Sequence, residues 1–258
     1  MGWYKKAFGA AYLNVYSHRD DKEAGKAAAV IRRAMGPLAA GSAKGGLDIL
    51  DLCCGQGRYS LLLAAEGHRV VGLDLSAELL GIAGSRWEST GAGERKNPGR
   101  LSLVRADMRR IPFVSAFDLL INMFTSFGYF ERDADNQAVL DSAGRALRPG
   151  GRFLIDYLNR VQVLDNLVGE DSFENGGYMV RQSRSISPDG LRVEKTVLVR
   201  GRSGEERYRE SVRLFTRQEM QRMLERAGLR VEELFGDFDC SAWSPGSPRL
   251  ILTGYRNG

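Results

Sequence analysis

Apolar positions along this chain come in short solid runs separated by stretches with helical spacing, the alternation expected of βαβ units. The segment Asp20 to Met35 predicts a helix, capped by Asp20 or Asp21, with Val30, Ile31 and Met35 on one face and Gly36-Pro37 as its stop. After a Gly/Ala/Ser stretch, Leu47 to Leu52 lacks polar alternation and predicts a buried parallel strand. It runs into the turn Cys54-Gly55-Gln56-Gly57 and a helix from Tyr59 to Glu66. The unit then repeats. Arg69 to Leu73 predicts a strand ending at Asp74, Ser76 caps a helix to about Trp87, and Thr90 to Gly99 is a polar loop. Leu101 to Ala106, ending at Asp107, and Phe117 to Met123 are the next strands. A helix from Asp133 to Leu147, stopped by Pro149-Gly150-Gly151, and a strand from Arg152 to Tyr157 follow. This order implies a parallel sheet with right-handed crossovers.

After Asn159 the period changes. Tyr178 to Ile186, Leu191 to Arg200 and Glu206 to Phe215 alternate apolar residues with arginine and glutamate, as in an antiparallel sheet with one wet face. Ser187-Pro188-Asp189-Gly190 and Arg202-Ser203-Gly204 are suitable turns between them. The α/β pattern then resumes. Thr216 and Glu219 form a capping box for a helix ending at Gly228, and Leu229 to Phe235 and Arg249 to Tyr255 are two closing strands. The expected organisation is an N-terminal helical cap over 1–46, an α/β domain from 47–159 and 216–258, and an antiparallel β insert over 160–215.

Composition narrows this picture only a little. Hydrophobic residues make up 43% and charged residues 27% of 258 residues, as in ordinary globular proteins. The runs Phe117 to Phe124 and Leu61 to Ala65 are too short for a membrane span. The first residues, MGWYKKAFGAAYLNVY, have neither the apolar core nor the cleavage site of a signal peptide, and Lys6 breaks the myristoylation pattern after Gly2. A cytoplasmic location is therefore expected, with no membrane partner. Cys53, Cys54 and Cys240 have no metal or redox spacing, and no metal is expected. The net charge of +5 is spread among nearly as many acids, which points to a solvated basic surface before a nucleic-acid face.

The chemistry concentrates at three acids, Asp51, Asp74 and Asp107, each at the C-terminal end of a predicted parallel strand, where ligands of doubly wound sheets bind. Asp51 precedes a glycine turn that lets backbone approach a ligand. Asp74, at the end of the second strand, can accept both hydroxyls of a ribose. Asp107 can accept from the exocyclic amino group of a base. Their joint occurrence points to a nucleoside site.

The segment Asp48-Ile-Leu-Asp-Leu-Cys-Cys-Gly-Gln-Gly57 resembles the first motif of class I S-adenosylmethionine-dependent methyltransferases. Val71-Gly-Leu-Asp-Leu-Ser76 and Val104-Arg-Ala-Asp-Met108 are similar to their second motif and adenine-binding segment. Phe117-Asp-Leu-Leu-Ile-Asn122 and Leu147-Arg-Pro-Gly-Gly-Arg-Phe153 look like their fourth and fifth strands. The resemblance implies a Rossmann-like α/β fold, a seven-stranded mostly parallel sheet flanked by helices with the last strand antiparallel. It implies S-adenosyl-L-methionine as methyl donor. Gly55 and Gly57, with Cys53 between them and Asp51, would make room for the methionine moiety, and Asp51 would lie near its amino group. Asp74 would hold the ribose, Leu75 would sit beside the adenine, and Asp107 and Met108 would contact it. Asn122 would face the methionine end. Many relatives have glycine where Cys53 stands, which puts the backbone there in question. A nicotinamide dinucleotide site fits less well, because Ser60 stands in place of the third glycine of G-x-G-x-x-G.

Transfer from a sulfonium needs alignment and exclusion of water more than a signature base. The acceptor side is therefore marked only by candidates near the fourth and fifth strands: Phe124, Ser126, Phe127, Tyr129, Asp156, Tyr157 and Asn159. Tyr129, Asp156, Tyr157 and Asn159 are the catalytic candidates, and simple packing is the competing reading for each. Related small-molecule enzymes carry an N-terminal tyrosine lid, so the resemblance implies that Tyr16 and Arg19 cover the donor carboxylate. His68, at the start of the second strand, is placed for structure. A small-molecule acceptor is favoured. The alternatives are an RNA- or protein-modifying enzyme and a non-catalytic donor-binding protein. Asn122-Met123-Phe124-Thr125 lacks the prolines of base-amine methylating enzymes, which argues against methylation of a nucleic-acid base amine.

Overall fold

The computed structural model describes residues 3–4, 21–39, 46–91, 99–201 and 204–258. Tyr16, Arg19, the Asp20 cap, most of the Thr90 to Gly99 loop and the Arg202-Ser203 turn lie outside the described residues.

Among the described residues are a short 3-10 turn (Met108–Arg110), six α-helices and eleven strands: α1 (Asp21–Ala39), β1 (Asp48–Leu52), α2 (Arg58–Ala65), β2 (Arg69–Asp74), α3 (Ala77–Ser89), β3 (Arg100–Arg105), β4 (Phe117–Asn122), α4 (Asp133–Ala146), β5 (Leu147–Leu158), α5 (Arg160–Asp165), β6 (Glu170–Asn175), β7 (Tyr178–Ile186), β8 (Arg192–Gly201), β9 (Gly204–Arg213), α6 (Arg217–Arg226), β10 (Leu229–Phe235) and β11 (Arg249–Arg256). The main sheet has the order β10-β11-β5-β4-β1-β2-β3. Only β11 runs against the others, since it pairs antiparallel with both β5 and β10 while β4, β1, β2 and β3 pair parallel. This is the Rossmann-like seven-stranded arrangement expected.

The solid apolar runs have their cause in two covered faces. Leu50, Leu52, Leu120, Phe153, Ile155, Leu250 and Leu252 face a core shared with Val139, Leu140 and Ala143 of α4 and Met220 and Leu224 of α6. Their neighbours Ile49, Leu119, Ile121, Leu154 and Ile251 face Val30, Ile31 and Ala34 of α1 and Leu63 and Ala64 of α2. A strand buried on both faces has no polar alternation to show.

Three predicted boundaries are corrected. Helix α1 does not stop at Gly36-Pro37 but continues to Ala39, with Pro37 inside its last turn. Its stripe of Ala27, Val30, Ile31, Ala34 and Met35 is buried, and a proline so near the end breaks only one backbone bond. The Pro149-Gly150-Gly151 stop falls inside β5, where the pairing with β4 jumps from Phe117↔Leu147 to Leu119↔Arg152. The extra residues form a bulge whose Arg148 binds Asp118 at 2.5 Å and Asp48 at 2.9 Å. The segment 160–215 holds α5 followed by four strands, in the order β6-β7-β8-β9; the three-strand expectation missed β6 and α5. In β6, Glu-Asp-Ser-Phe-Glu-Asn, only Phe173 is apolar, so the period is too short to show. The signal that was there is Gly176-Gly177, both at positive φ, joining β6 to β7 as a tight hairpin.

Other local readings hold. Ser76 caps α3 by accepting from Leu79 N, and Thr216 and Glu219 form the reciprocal capping box of α6. Arginines that donate to backbone carbonyls fix the small sheet in place: Arg192 reaches Gly128 O and Phe130 O in the segment after β4, and Arg160 of α5 reaches Gly190 O and Leu214 O at the end of the small sheet. Among the described residues no helix is long and apolar enough to cross a membrane.

Candidate active site

The carboxyl ends of β1, β2, β3 and β4, the start of β11, α5 and one face of the small sheet line an open cleft of about 640 Å³. That volume is in the usual range for small-molecule sites. One end is set by the turn after β1. Cys53, Gly55 and Gly57 all have positive φ, at 62°, 55° and 78°. Cys53 therefore adopts the left-handed conformation that favours glycine, which answers the question its side chain raised. Its Sγ lies 3.4 Å from Met108 Sδ, and burial pushes its thiol pKa up, so it lines the cavity as an uncharged thiol.

The two glycines do different work. At Gly55 an added Cβ would meet only Leu79 Cδ1, at 3.9 Å, and the residue lines the cavity. At Gly57 a Cβ would sit 2.6 Å from Leu61 Cδ1 and 2.9 Å from Ala83 Cβ. Gly57 does not line the cavity; it lets α2 and α3 approach, a correction to the room-making role implied for it.

The three acids converge as the sequence predicts. Asp51, only 2% exposed, accepts from Ser60 Oγ at 2.6 Å. Burial raises its pKa to about 7, against the opposing pull of Ser60 and Arg58. Gly72, the partner of Asp51 across the β1–β2 pair, leaves the room that Ser60 Oγ and Cys54 Sγ take, since a Cβ there would lie 3.0 and 2.9 Å from them. Asp74 Oδ2 accepts from Gly55 N at 2.9 Å and Oδ1 from Ser76 N at 2.8 Å. These donors oppose the upward push of burial on its pKa. The carboxylate thus holds the glycine turn in place while facing the cavity. Asp107 is bound by Arg109, with Nη2 to Oδ2 at 2.6 Å, and that hydrogen bond holds its carboxyl below the usual range. Arg109 in turn stacks on Phe130, 4.4 Å from the ring centroid. Leu75 and Met108 line the cavity beside these acids.

Four other expectations are corrected by packing. Asn122 does not line the cavity: it is 3% exposed, and its Nδ2 donates to Leu52 O at 2.9 Å, tying β4 to the end of β1. Asp156 is fully buried and held by Arg249, with Nε to Oδ1 at 2.5 Å and Nη2 to Oδ2 at 2.6 Å, while Phe124 N donates to Oδ2 at 2.9 Å. Tyr157 is fully buried, and its hydroxyl donates to Arg213 O and accepts from Phe215 N. Burial raises the pKa of that hydroxyl further, so it stays a neutral structural tie. Asn159 spends its amide on Ser244, Pro245 and Ser247 carbonyls. None of these three candidates reaches the cavity. Phe127 is core. Tyr129, Ser126 and Phe124 do line the cavity, with Tyr129 5.1 Å from Trp3 in an edge-on contact. His68, placed for structure, accepts from Leu47 N at 3.1 Å.

Several lining residues escaped sequence reasoning: Trp3 and Tyr4, Arg58 and Tyr59, Gln162 of α5 and Asn166 just after it, and Arg184, Lys195 and Glu210 of the small sheet. Arg249 had a readable signal. An antiparallel last strand starts at the end where its parallel neighbours finish, so a charged residue at its first position belongs to the ligand end. The pairing Arg249↔Leu158 confirms that placement.

Comparison with known proteins agrees with this geometry. A family model described as a methyltransferase domain matches residues 49–151. A dTDP-3-amino-3,6-dideoxy-alpha-D-glucopyranose N,N-dimethyltransferase of Streptomyces fradiae is 31% identical over 221 residues, 83% of this chain and 79% of that protein. A tRNA 5-carboxymethoxyuridine methyltransferase of Escherichia coli is 26% identical over 55% of this chain and 53% of its own length. The crystal structure of an S-adenosylmethionine-dependent methyltransferase from Clostridium acetobutylicum superposes with a TM-score of 0.75 at 18% identity, covering 96% of this chain and 98% of that one. The chain belongs to the S-adenosylmethionine-dependent methyltransferases.

Proposed function

We propose that the acceptor is a small molecule of about sugar size, methylated on an amine nitrogen. One observation carries this reading: one continuous cleft is lined both by the three strand-end carboxylates and by residues of the small sheet, so donor and acceptor would share one space. The amino-sugar substrate named for the Streptomyces fradiae relative supports the amine.

The residues present fit the donor. Asp74 offers carboxylate oxygens to a ribose, and Leu75, Leu79, Met108 and Asp107 offer an apolar slot with an acid at its edge for an adenine. Gly55 leaves open the space a side chain would fill, and Asp51 gives a carboxylate to an ammonium group. Bound there, S-adenosylmethionine supplies an activated methyl group on a sulfonium with a good leaving group. What the chain must add is alignment and dryness. Trp3, Phe124 and Tyr129 wall the middle of the cavity with aromatic faces that suit a cationic sulfonium. On the far side, Arg184 and Lys195 face each other across β7 and β8, and Asp171 and Glu210 flank them. That balance of charge suits a polar small molecule better than a polyanion, so RNA is the weaker reading. The small sheet is thus the acceptor side, and the α/β domain the donor side.

The buried acid makes donor binding pH-dependent. An ammonium group prefers Asp51 ionised, so affinity for S-adenosylmethionine is expected to rise with pH and level off above about 7. Ser60→Ala, which removes a hydrogen bond that holds this pKa down, should move the transition to higher pH. Without donor the sign reverses. Asp51 has a higher pKa folded than unfolded, so its contribution to stability is greatest at low pH and is lost as pH rises through about 7. Calorimetric titrations between about pH 5.5 and 8.5 read the first effect, and a flat profile would exclude Asp51 from the donor site. The acceptor reading is tested by mass spectrometry of reactions with a panel of free and nucleotide-linked amino sugars. Gain of methyl on nitrogen is expected, and gain only on oxygen-bearing acceptors would contradict it.

A further inference from the structure

One run of chain after β4, Met123 to Ser126, crosses the middle of the cleft, and each of its residues lines it. The run joins the two halves of the site. On one side the Phe124 ring stacks on Tyr59 of α2, with 5.9 Å between centroids. On the other, Gly128 O accepts from Arg213 N at 2.8 Å and from Arg192 Nη2 at 3.3 Å, both in the small sheet. Thr125 stands between these two sets of contacts.

Its backbone is strained. Phe124 and Thr125 are consecutive non-glycine residues at positive φ, 55° and 56°. A β-branched residue is among the least suited to that region. Where this part of the chain needs only a left-handed turn it uses glycine, as at Gly55 and Gly128, with φ of 55° and 85°. The strained pair is held by Asp156: Phe124 N donates to its Oδ2 at 2.9 Å and Thr125 N to its backbone oxygen at 3.0 Å. Strain of this kind persists where the side chain that causes it has a use. For Phe124 the use is the aromatic wall. For Thr125 it is the hydroxyl. The neighbouring Ser126 hydroxyl is spent on Met123 O at 2.9 Å, whereas that of Thr125, a half-buried residue, makes no hydrogen bond among the described residues.

An amine that attacks a sulfonium methyl in line has to aim its lone pair at the carbon, so its N–H bonds point to the sides. A hydroxyl oxygen beside the line of attack can accept one of them and fix the rotation of the nitrogen. We propose that the Thr125 hydroxyl is that acceptor, orienting the substrate amine, and that the strained turn after β4 exists to present it. This rests on the amine-acceptor reading above. In the step, nitrogen bonds to the methyl carbon as the carbon–sulfur bond breaks. The electron pair of that bond passes to sulfur, leaving a neutral thioether, and the ammonium product gives its proton to solvent. Thr125 holds the amine in line and takes no proton.

Three substitutions isolate the hydroxyl. Thr125→Val keeps the branched shape, Thr125→Ser keeps the hydroxyl, and Thr125→Gly releases the strain while removing it. Turnover is measured with the amine that the wild type methylates fastest in a panel that includes dTDP-3-amino-3,6-dideoxy-alpha-D-glucopyranose, the amino sugar named for the Streptomyces fradiae relative. In Thr125→Val, kcat is expected to fall at least about tenfold while KM changes less than about threefold. Its affinity for S-adenosylhomocysteine should stay within about twofold of wild type, which also shows that the variant is folded. Thr125→Ser should recover kcat to within about threefold. Thr125→Gly should be as slow as the valine variant yet melt no lower than wild type, since the released strain offsets the added freedom of the unfolded chain. Wild-type kcat in Thr125→Val, or a serine variant as slow as the valine one, overturns the role of the hydroxyl. So does a tenfold loss of S-adenosylhomocysteine affinity in Thr125→Val, which would put Thr125 on the donor. A wild type that methylates no amine in the panel overturns the amine-acceptor reading and this inference with it.

Discussion

Asp74→Ala is expected to weaken donor binding at least about 100-fold, roughly 3 kcal/mol, the loss of two hydrogen bonds to a charged acceptor. Two effects combine in that number. The ribose hydroxyls lose their acceptor, and the glycine turn loses the carboxylate that receives Gly55 N and Ser76 N. Asp74→Asn separates the two. Its amide oxygen can still take one backbone N–H, but its NH₂ donates where the ribose also donates. Binding of S-adenosylhomocysteine should therefore be nearly as weak in Asp74→Asn as in the alanine variant, while the melting temperature falls less. A binding constant within a few-fold of wild type in both variants would remove Asp74 from the donor site.

The second large effect is on stability. Asp156→Ala leaves the Arg249 guanidinium without its carboxylate, and Phe124 N without an acceptor. Breaking a buried ion pair from one side typically costs about 3 to 5 kcal/mol. For a chain of this size that lowers the melting temperature by on the order of 10 °C. A general base would behave differently: its alanine variant would melt like wild type and fail only in turnover. Thermal melts of the purified variant decide between the two, and an unchanged melting temperature would contradict the structural role given to Asp156.

These two aspartates also show what the sequence could and could not tell. The position of Asp74 in the cleft was readable because it is tied to a local pattern, an acid at the end of a strand one βα unit after a glycine turn. The same logic found Asp51 and Asp107. The parallel sheet was readable too, because two-sided burial leaves runs such as Ile49 to Leu52 with no outward-facing polar set. Asp156, Tyr157 and Asn159 looked equally eligible for chemistry. Their partners, Arg249, Arg213 and the carbonyls of Ser244 to Ser247, lie far away in sequence, so nothing local revealed that these side chains were already spent. Asn122 was misplaced for a similar reason, since its carbonyl partner on Leu52 belongs to the neighbouring strand.

The acceptor side was the least legible. Arg184, Lys195 and Glu210 alternate with apolar residues on one face of the small sheet, and the sequence showed the alternation but not which face was enclosed. Helix α5 and β6 complete that end of the cavity. They are short and polar, so neither offered a period long enough to read. Trp3 and Tyr4 contribute aromatic rings against Tyr129 and Phe130, contacts that only the folded chain brings together.

The central claim is that this methyltransferase acts on a small molecule inside the shared cavity. Its most direct test is incubation of the purified protein with methyl-labelled S-adenosylmethionine and a cell extract, separated afterwards into small molecules, RNA and protein. Label is predicted in the small-molecule fraction, at a level that falls in Asp74→Ala. Label that accumulates in RNA or protein instead would contradict the account.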